Sequence, residues 1–308
     1  MRSAPKPSAR SLTVLAPAKV NLFLHVTGRR ADGYHRLESL FAFADIGDKI
    51  SLVPASSTSF AVTGPYAEAL AKAGSEAHGN LVVKALEGLR ELLGGANLAA
   101  AITLEKNLPL SSGLGGGSSD AAAALKALQI VWGVEAEEGK LYELALKLGA
   151  DVPACLLGEA CLVSGIGDEV KPVSDFLELA CVLVNPNLPL ATPAVFKAFA
   201  AREFPFTPPL FWGGAGLGNI WELMARTKND LQGSACGILP EVGKVLMALE
   251  RVPGAKLARM SGSGATCFAL FENADGAESA ARTIAKAEPG WWVKAAILRR
   301  RPPFLLSS

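Results

Sequence analysis

The sequence has almost no excess of either charge: 30 Lys and Arg stand against 29 Asp and Glu in 308 residues, for a formal charge of +1. No bulk field draws in a polyanion, and no aromatic-basic platform offers to stack bases, so nucleic acid is not an expected partner and any anion must be held locally. Long apolar runs are missing as well. Segments 98–104 and 179–184 fall far short of the roughly 18 to 20 residues of a spanning helix, so no membrane partner is expected. Histidine is scarce, and His25, His35 and His78 lack the i, i+4 spacing of a helical metal pair, so no metal ligand is assigned. Cys155, Cys161, Cys181, Cys236 and Cys267 form an odd set without a C-x-x-C pair. That argues against a disulfide framework and a zinc site, and for buried reduced thiols in the cytoplasm.

What is present is a globular composition, with half the residues hydrophobic and 19% charged. A chain of this length carries roughly two domains and buries about three quarters of its unfolded surface. Near the start, Arg2, Lys6 and Arg10 precede an apolar stretch at 12–16 and an Ala16, Pro17, Ala18 triplet that mimics a secretory cleavage site. The stretch is shorter than the ~7 to 15 residues of a signal-peptide core, and residues 1–10 are read as a flexible tail.

Period-two alternation of Val20, Leu22, Leu24 and Val26 predicts a strand, with Asp32 and Gly33 as a turn. Asn80 is placed to cap a helix carrying Leu81, Ala85, Leu89 and Leu92, which Gly94 stops. A strand at 98–104, a Gly/Ser-rich stretch at 105–120 and an Ala-rich helix at 121–132 follow. Further on, a helix is expected at 140–148 and a strand at 160–164. The pattern then restarts as a second domain near 173, with a strand at 179–184 and a helix to Phe199 that has Thr192 as cap and Pro193 as first residue. The remainder predicts helices at 220–226, 240–250 and 277–287 and strands at 256–260, 266–271 and 292–298. Segment 203–218, heavy in Pro, Phe and Gly, reads as a surface insertion or flap.

The chemistry concentrates in Pro109, Leu110, Ser111, Ser112, Gly113, Leu114, Gly115, Gly116, Gly117, Ser118 and Ser119. Glycines let backbone approach a ligand, and successive N–H groups at a helix start make an anion pocket reinforced by the helix dipole. The stretch completes neither a Walker A loop nor G-x-G-x-x-G. As a bare pattern it fits a flexible linker or a phosphate cradle; its place between strand and helix favours the cradle. Ser261, Gly262, Ser263, Gly264 and Ala265 offer either a hairpin turn or further donors to the same anion. Phosphoryl transfer also needs a proton acceptor and a cation. Asp151 and Lys19 are candidates, although taken alone a helix cap and a solvated strand residue explain them better.

Segments 16–24, 109–123 and 259–265 together resemble the three signature motifs of the GHMP kinase superfamily. Residues 17–21, 30–35 and 149–153 narrow the resemblance to members acting on a cytidyl-diphosphate-linked methylerythritol, and the similarity runs from about residue 12 to 298. It implies an α+β, two-domain GHMP kinase fold: a ribosomal-protein-S5-like, ATP-binding N-terminal domain at 11–172 and a ferredoxin-like C-terminal domain at 173–308. The implied reaction is ATP-dependent phosphorylation of the substrate's 2-hydroxyl, giving the 2-phosphate and ADP, in the non-mevalonate isoprenoid pathway. Asp151 would be the base and Lys19 its partner. The glycine stretch would wrap the ATP phosphates, with Asn80 and Lys106 near the adenosine. Tyr34, His35 and Phe196 would hold the cytosine, and Asn21, Phe41 and Thr192 would line the same cleft. Mg2+ is expected with ATP, and the protein is expected to be a monomer or weak homodimer. The competing readings are a sibling kinase for homoserine or a mevalonate-like acid, and a ligand sensor that keeps the fold without catalysis.

Overall fold

The computed structural model describes residues 11–74, 79–95, 98–202, 205–210 and 217–307. The expected tail at 1–10 lies outside the described residues, as do 203, 204 and 211–216 of the expected flap.

Chain order begins with β1 (Leu12–Arg29), β2 (His35–Pro54), β3 (Ser59–Thr63), α1 (Ala67–Lys72), α2 (Leu81–Leu92), β4 (Ala100–Glu105), α3 (Gly116–Trp132), α4 (Glu138–Leu148), α5 (Val152–Leu157), β5 (Cys161–Gly165) and β6 (Glu169–Pro172). The second half adds β7 (Leu179–Asn185), α6 (Thr192–Ala200), α7 (Ile220–Arg226), α8 (Gln232–Ile238), α9 (Pro240–Arg251), β8 (Leu257–Met260), β9 (Cys267–Phe271), α10 (Ala274–Ala287), β10 (Trp292–Arg299) and β11 (Leu305–Ser307). One sheet runs through both halves in the order β11-β1-β2-β10-β7-β9-β8, with β4 and β5 also paired to β2. The joint between the halves is antiparallel pairing of Leu298 with Ala44 and Arg299 with Phe43.

The alternating residues of β1 are buried as expected, but so are Lys19, Asn21, Phe23 and His25 between them. Both faces are covered, so alternation there does not separate inside from outside. Register shifts between Pro17 and Lys19 and between Asn21 and Phe23 bulge the strand where these polar side chains emerge, a device that re-aims side chains beside sites. Helix α3 packs on β1 and β2 through an alanine run, Ala121–Ala124, whose small side chains let the backbones approach. It starts at Gly116 rather than at 121, so the last glycines are its first turn. Gly115 is the N-cap in the left-handed region at φ 62°, which a residue without Cβ adopts freely.

Asn80 caps α2 as expected, its Oδ1 accepting the Val82 N–H at 2.9 Å. Thr192 does not cap α6: the N-cap is Ala191, and the Thr192 hydroxyl instead lies 2.7 Å from the Ser263 hydroxyl. Helix α8 was not anticipated, since Gly233 and Gly237 lower its propensity. The described part of the expected flap is strapped to the sheet, with Thr207 N–H donating to Val26 O and Leu210 N–H to Glu38 Oε2. All five cysteines are free thiols, four of them buried. Among the described residues no helix is long and apolar enough to cross a membrane.

Candidate active site

The first turn of α3 and the bulged part of β1 meet at one point. Lys19 N–H donates to Leu114 O at 2.9 Å, which docks strand against glycine turn. A Cβ on Gly115 would stand 2.8 Å from Lys19 Cε; only glycine leaves the lysine its path. The Lys19 side chain, 4% exposed, runs through that gap and reaches Asp151 Oδ2 at 3.0 Å. Its ammonium also donates to Asn21 Oδ1 at 2.8 Å and lies 4.4 Å from the centre of the Phe41 ring.

Asp151 precedes α5 but makes no side-chain capping bond. Its carboxylate points to Lys19 and is 35% exposed. The cap and solvated-strand alternatives therefore give way to an acid and an amine converging from positions 132 residues apart in the chain. Cys155 lies one helical turn on, and burial pushes its thiol up to about 12, so it stays a neutral thiol beside the pair.

The third segment holds the turn in place. Ser261 Oγ accepts the Asn21 N–H at 3.0 Å and donates to Gly113 O at 2.9 Å, while Thr266 N–H donates to Ser112 O at 3.0 Å. A Cβ on Gly113 would lie 2.3 Å from Ser261 O. The carbonyls of the glycine stretch are thus tied back to neighbouring segments, leaving N–H groups for a ligand. Asn229 fixes the Ser261 turn by donating to Met260 O and Gly262 O at 2.7 and 2.8 Å. Arg259 is buried and donates to Leu22 O, Met224 O and Thr227 O. Sequence reasoning passed over Ser261, Asn229 and Arg259 as individual contributors, because their partners lie up to 240 residues away.

These parts open on a cavity of about 1170 Å³, larger than the ~300 to 1000 Å³ of typical single-ligand sites. Of the anticipated residues, Lys19, Asn21, Tyr34, His35, Phe41, Asn80, Lys106, Pro109–Gly113, Gly115–Ser118, Asp151, Thr192 and Phe196 line it. Two do not. Leu114 is fully buried in the core, and Ser119 is turned inward, its hydroxyl donating to Pro17 O at 2.6 Å. At one end His35 stacks on Phe196, with centroids 5.3 Å apart and planes at 26°, and meets Phe199 edge-on at 6.0 Å. Burial, then the neighbouring Arg29 charge, lowers the His35 pKa, which favours a neutral ring. Tyr34 stands 66% exposed on the rim. Lys106 is not a free cation: its ammonium is enclosed by Asp48 and Asp120 beneath Gly116.

Comparison with known proteins matches the GHMP kinases N terminal domain to residues 80–159 and the GHMP kinases C terminal domain to residues 215–289. A 4-diphosphocytidyl-2-C-methyl-D-erythritol kinase of Chelativorans sp. (strain BNC1) is 49% identical over 295 residues, covering 96% of this chain and 98% of that protein. The chain belongs to the GHMP kinases. Another relative of the same name, from Brucella melitensis biotype 1, is 48% identical over 92% of this chain and 93% of its own length. Among solved structures, the crystal structure of a 4-(cytidine 5'-diphospho)-2C-methyl-D-erythritol kinase superposes with a TM-score of 0.77 at 36% identity, over 93% of this chain and 99% of that one. The two GHMP kinase matches fall on α2 to α5 and on the second half of the chain, the halves whose segments meet at Lys19, Gly113 and Ser261.

Proposed function

We propose that this GHMP kinase transfers the γ-phosphoryl group of ATP to the 2-hydroxyl of 4-diphosphocytidyl-2-C-methyl-D-erythritol, giving the 2-phosphate and ADP for isoprenoid synthesis by the non-mevalonate route. The observation that carries the reading is the Lys19–Asp151 pair, 3.0 Å apart beside the Gly113–Gly117 turn in one cavity. The activity for which the relatives are named supports the choice of acceptor.

The N–H groups of the turn and the positive end of α3 receive the phosphates. Asp151 accepts the proton of the acceptor hydroxyl as the hydroxyl oxygen bonds the γ-phosphorus and the bond from that phosphorus to the β–γ bridging oxygen breaks, releasing ADP. Lys19 orients the hydroxyl and balances the carboxylate. In the loose transition state of such transfers, this positioning counts at least as much as basicity. The His35–Phe196 stack offers an aromatic face to the cytosine, with Tyr34 at the rim and Thr192 and Asn21 on the walls. Asn80 stands at the adenosine end, where Lys106 braces the turn from below. Mg2+ would arrive with the phosphates and offset their charge. Among the described residues no three His, Cys, Asp or Glu side chains gather as a metal cage, and Mg2+ bound through substrate phosphates and water needs none. We assign residues 11–172 to the nucleotide half and 173–308 to the other. The buried thiols favour a reducing cytoplasm, and the protein is taken as a monomer or weak homodimer.

The test is transfer of label from γ-labelled ATP to the cytidine-bearing alcohol by the purified protein, with cytidine diphosphate as competitor. Labelling of homoserine or mevalonate without competition by cytidine diphosphate would move the assignment to a sibling kinase; no transfer to any alcohol would leave a binding protein.

A further inference from the structure

Beneath the phosphate turn lies a group of charges that the reaction itself does not use. Lys106 Nζ donates to Asp48 Oδ2 at 2.5 Å and to Asp120 Oδ2 at 2.7 Å, and all three side chains are at most 4% exposed. Asp48 comes from β2, Lys106 from the end of β4, and Asp120 from the second turn of α3. If all three were ionised, one ammonium would face two carboxylates, leaving a net negative charge buried out of water. A Cβ on Gly116 would lie only 3.1 Å from Lys106 Nζ, so this charge would sit against the very residue whose N–H opens the anion pocket. An unbalanced anion there would oppose phosphate binding, and its desolvation would be costly.

The hydrogen bonds show where the balance is struck. Asp48 is fully supplied with donors, for its Oδ1 accepts Asn107 N–H at 2.6 Å and Leu108 N–H at 2.8 Å in addition to the ammonium on Oδ2. Asp120 receives the ammonium on Oδ2 with the Asp48 carboxyl in hydrogen-bonding reach, and among the described residues its Oδ1 is buried without a partner. The charged groups acting on Asp120 are Lys106 and Asp48. Burial, with the neighbouring Asp48, pushes the Asp120 carboxyl well above its ordinary range despite Lys106.

We infer that Asp48 and Asp120 share one retained proton around Lys106, and that Asp120, as a neutral acid, is a positioning residue holding the ammonium under Gly116 in an uncharged cluster tuned for a nucleotide's phosphates. The phosphate part of this inference rests on the kinase reading; the retained proton does not.

Infrared spectroscopy of the wild-type protein at about pH 8, where ordinary carboxyls are ionised, shows the carbonyl stretch of a protonated carboxyl. The band disappears in Asp120→Asn. It also disappears in Asp48→Asn, where the one remaining acid pairs with Lys106 as a carboxylate. Calorimetric binding of a non-hydrolysable ATP analogue weakens about tenfold in Asp120→Ala, which strips the ammonium of one partner. Asp120→Asn, neutral and of the same shape, restores affinity to within about threefold of wild type. Absence of the band in the wild type overturns the retained proton and needs no variant to fold. Asn as weak as Ala shows that the negative charge is required, and Ala as tight as wild type removes the positioning role; either result overturns the inference. A wild-type protein that shows the band but binds no analogue defeats the kinase reading instead.

Discussion

Asp151→Asn separates chemistry from architecture more sharply than any other single change. The amide keeps the shape of the carboxylate but cannot take a proton, so a general base contributing 10²- to 10⁴-fold is removed. The same change strips Lys19 of its one carboxylate partner among the described residues, leaving the ammonium with Asn21 Oδ1 at 2.8 Å and the Phe41 face. Breaking a fully buried pair costs roughly 3 to 5 kcal/mol. Here one partner is 35% exposed and water reaches it, so the cost falls to about 1 to 2 kcal/mol once screening is included. The expected outcome is a protein that melts as one cooperative unit a few degrees lower, binds an ATP analogue within about threefold of wild type, and turns over at least about a hundredfold more slowly. Thermal unfolding, calorimetry and an ADP-release assay on the same preparation read the three quantities. Lys19→Met combined with Asp151→Asn should lose little beyond the worse single variant, since the two residues act as a unit. Turnover within about threefold of wild type, with folding intact, would show that the pair is a structural tie and that another group takes the proton.

Three further outcomes follow from the same geometry. Gly115→Ala forces φ 62° on a residue with a Cβ and places that carbon 2.8 Å from Lys19 Cε; backbone strain of about 1 to 2 kcal/mol should lower the melting temperature modestly while turnover falls far more, and equal wild-type activity would show that Lys19 does not depend on the gap. Phe196→Ala removes the partner of the His35 ring, a stack worth about 0.5 to 1.5 kcal/mol, so KM for the cytidine-bearing alcohol should rise up to about tenfold while KM for ATP stays put; a rise in KM for ATP alone would place the nucleotide at that end. Asp120 holds its proton in the folded state at pH values where the unfolded chain has released it, so this group makes stability fall as pH rises from the ordinary carboxylate range toward its raised folded pKa. Asp120→Asn should remove that slope, which cannot exceed about 1.4 kcal/mol per pH unit for one proton; parallel urea-unfolding profiles for both proteins between about pH 5 and pH 8 would exclude the retained proton.

Which features could be read from the chain depends on how far away their physical cause lies. Asn80 caps α2 through a donor two residues on, and the apolar period of that helix is local, so both were legible. The glycine stretch was legible as a turn leading into a helix because a missing Cβ and a helix start are properties of neighbours. Thr192 was misjudged as a cap because Ser263, 71 residues on, takes its hydroxyl. The weak strands β3, β6 and β11 have 3 to 5 residues each and exist because longer strands offer them an edge; nothing within such short runs distinguishes them from turns. Lys106 marks the boundary most clearly. The family resemblance put it near the adenosine, and it does line the cavity, but β2 pairs with four other strands, and its pairing with β4 sets Lys49 opposite Glu105. That register carries Asp48 up to Lys106, and α3 delivers Asp120 from the other side. A side chain's charge is written in its residue type, whereas its partner is set by strand register. Glycine carries the information across that divide. Gly115 and Gly116 are visible as absences of Cβ; the occupants of the vacated space, Lys19 above and Lys106 below, are chosen by the sheet. The two lysines flank one turn in opposite surroundings, one beside a carboxylate that is 35% exposed and one sealed with two acids, and under the proposed reaction it is this asymmetry that directs chemistry to the cavity side of the turn.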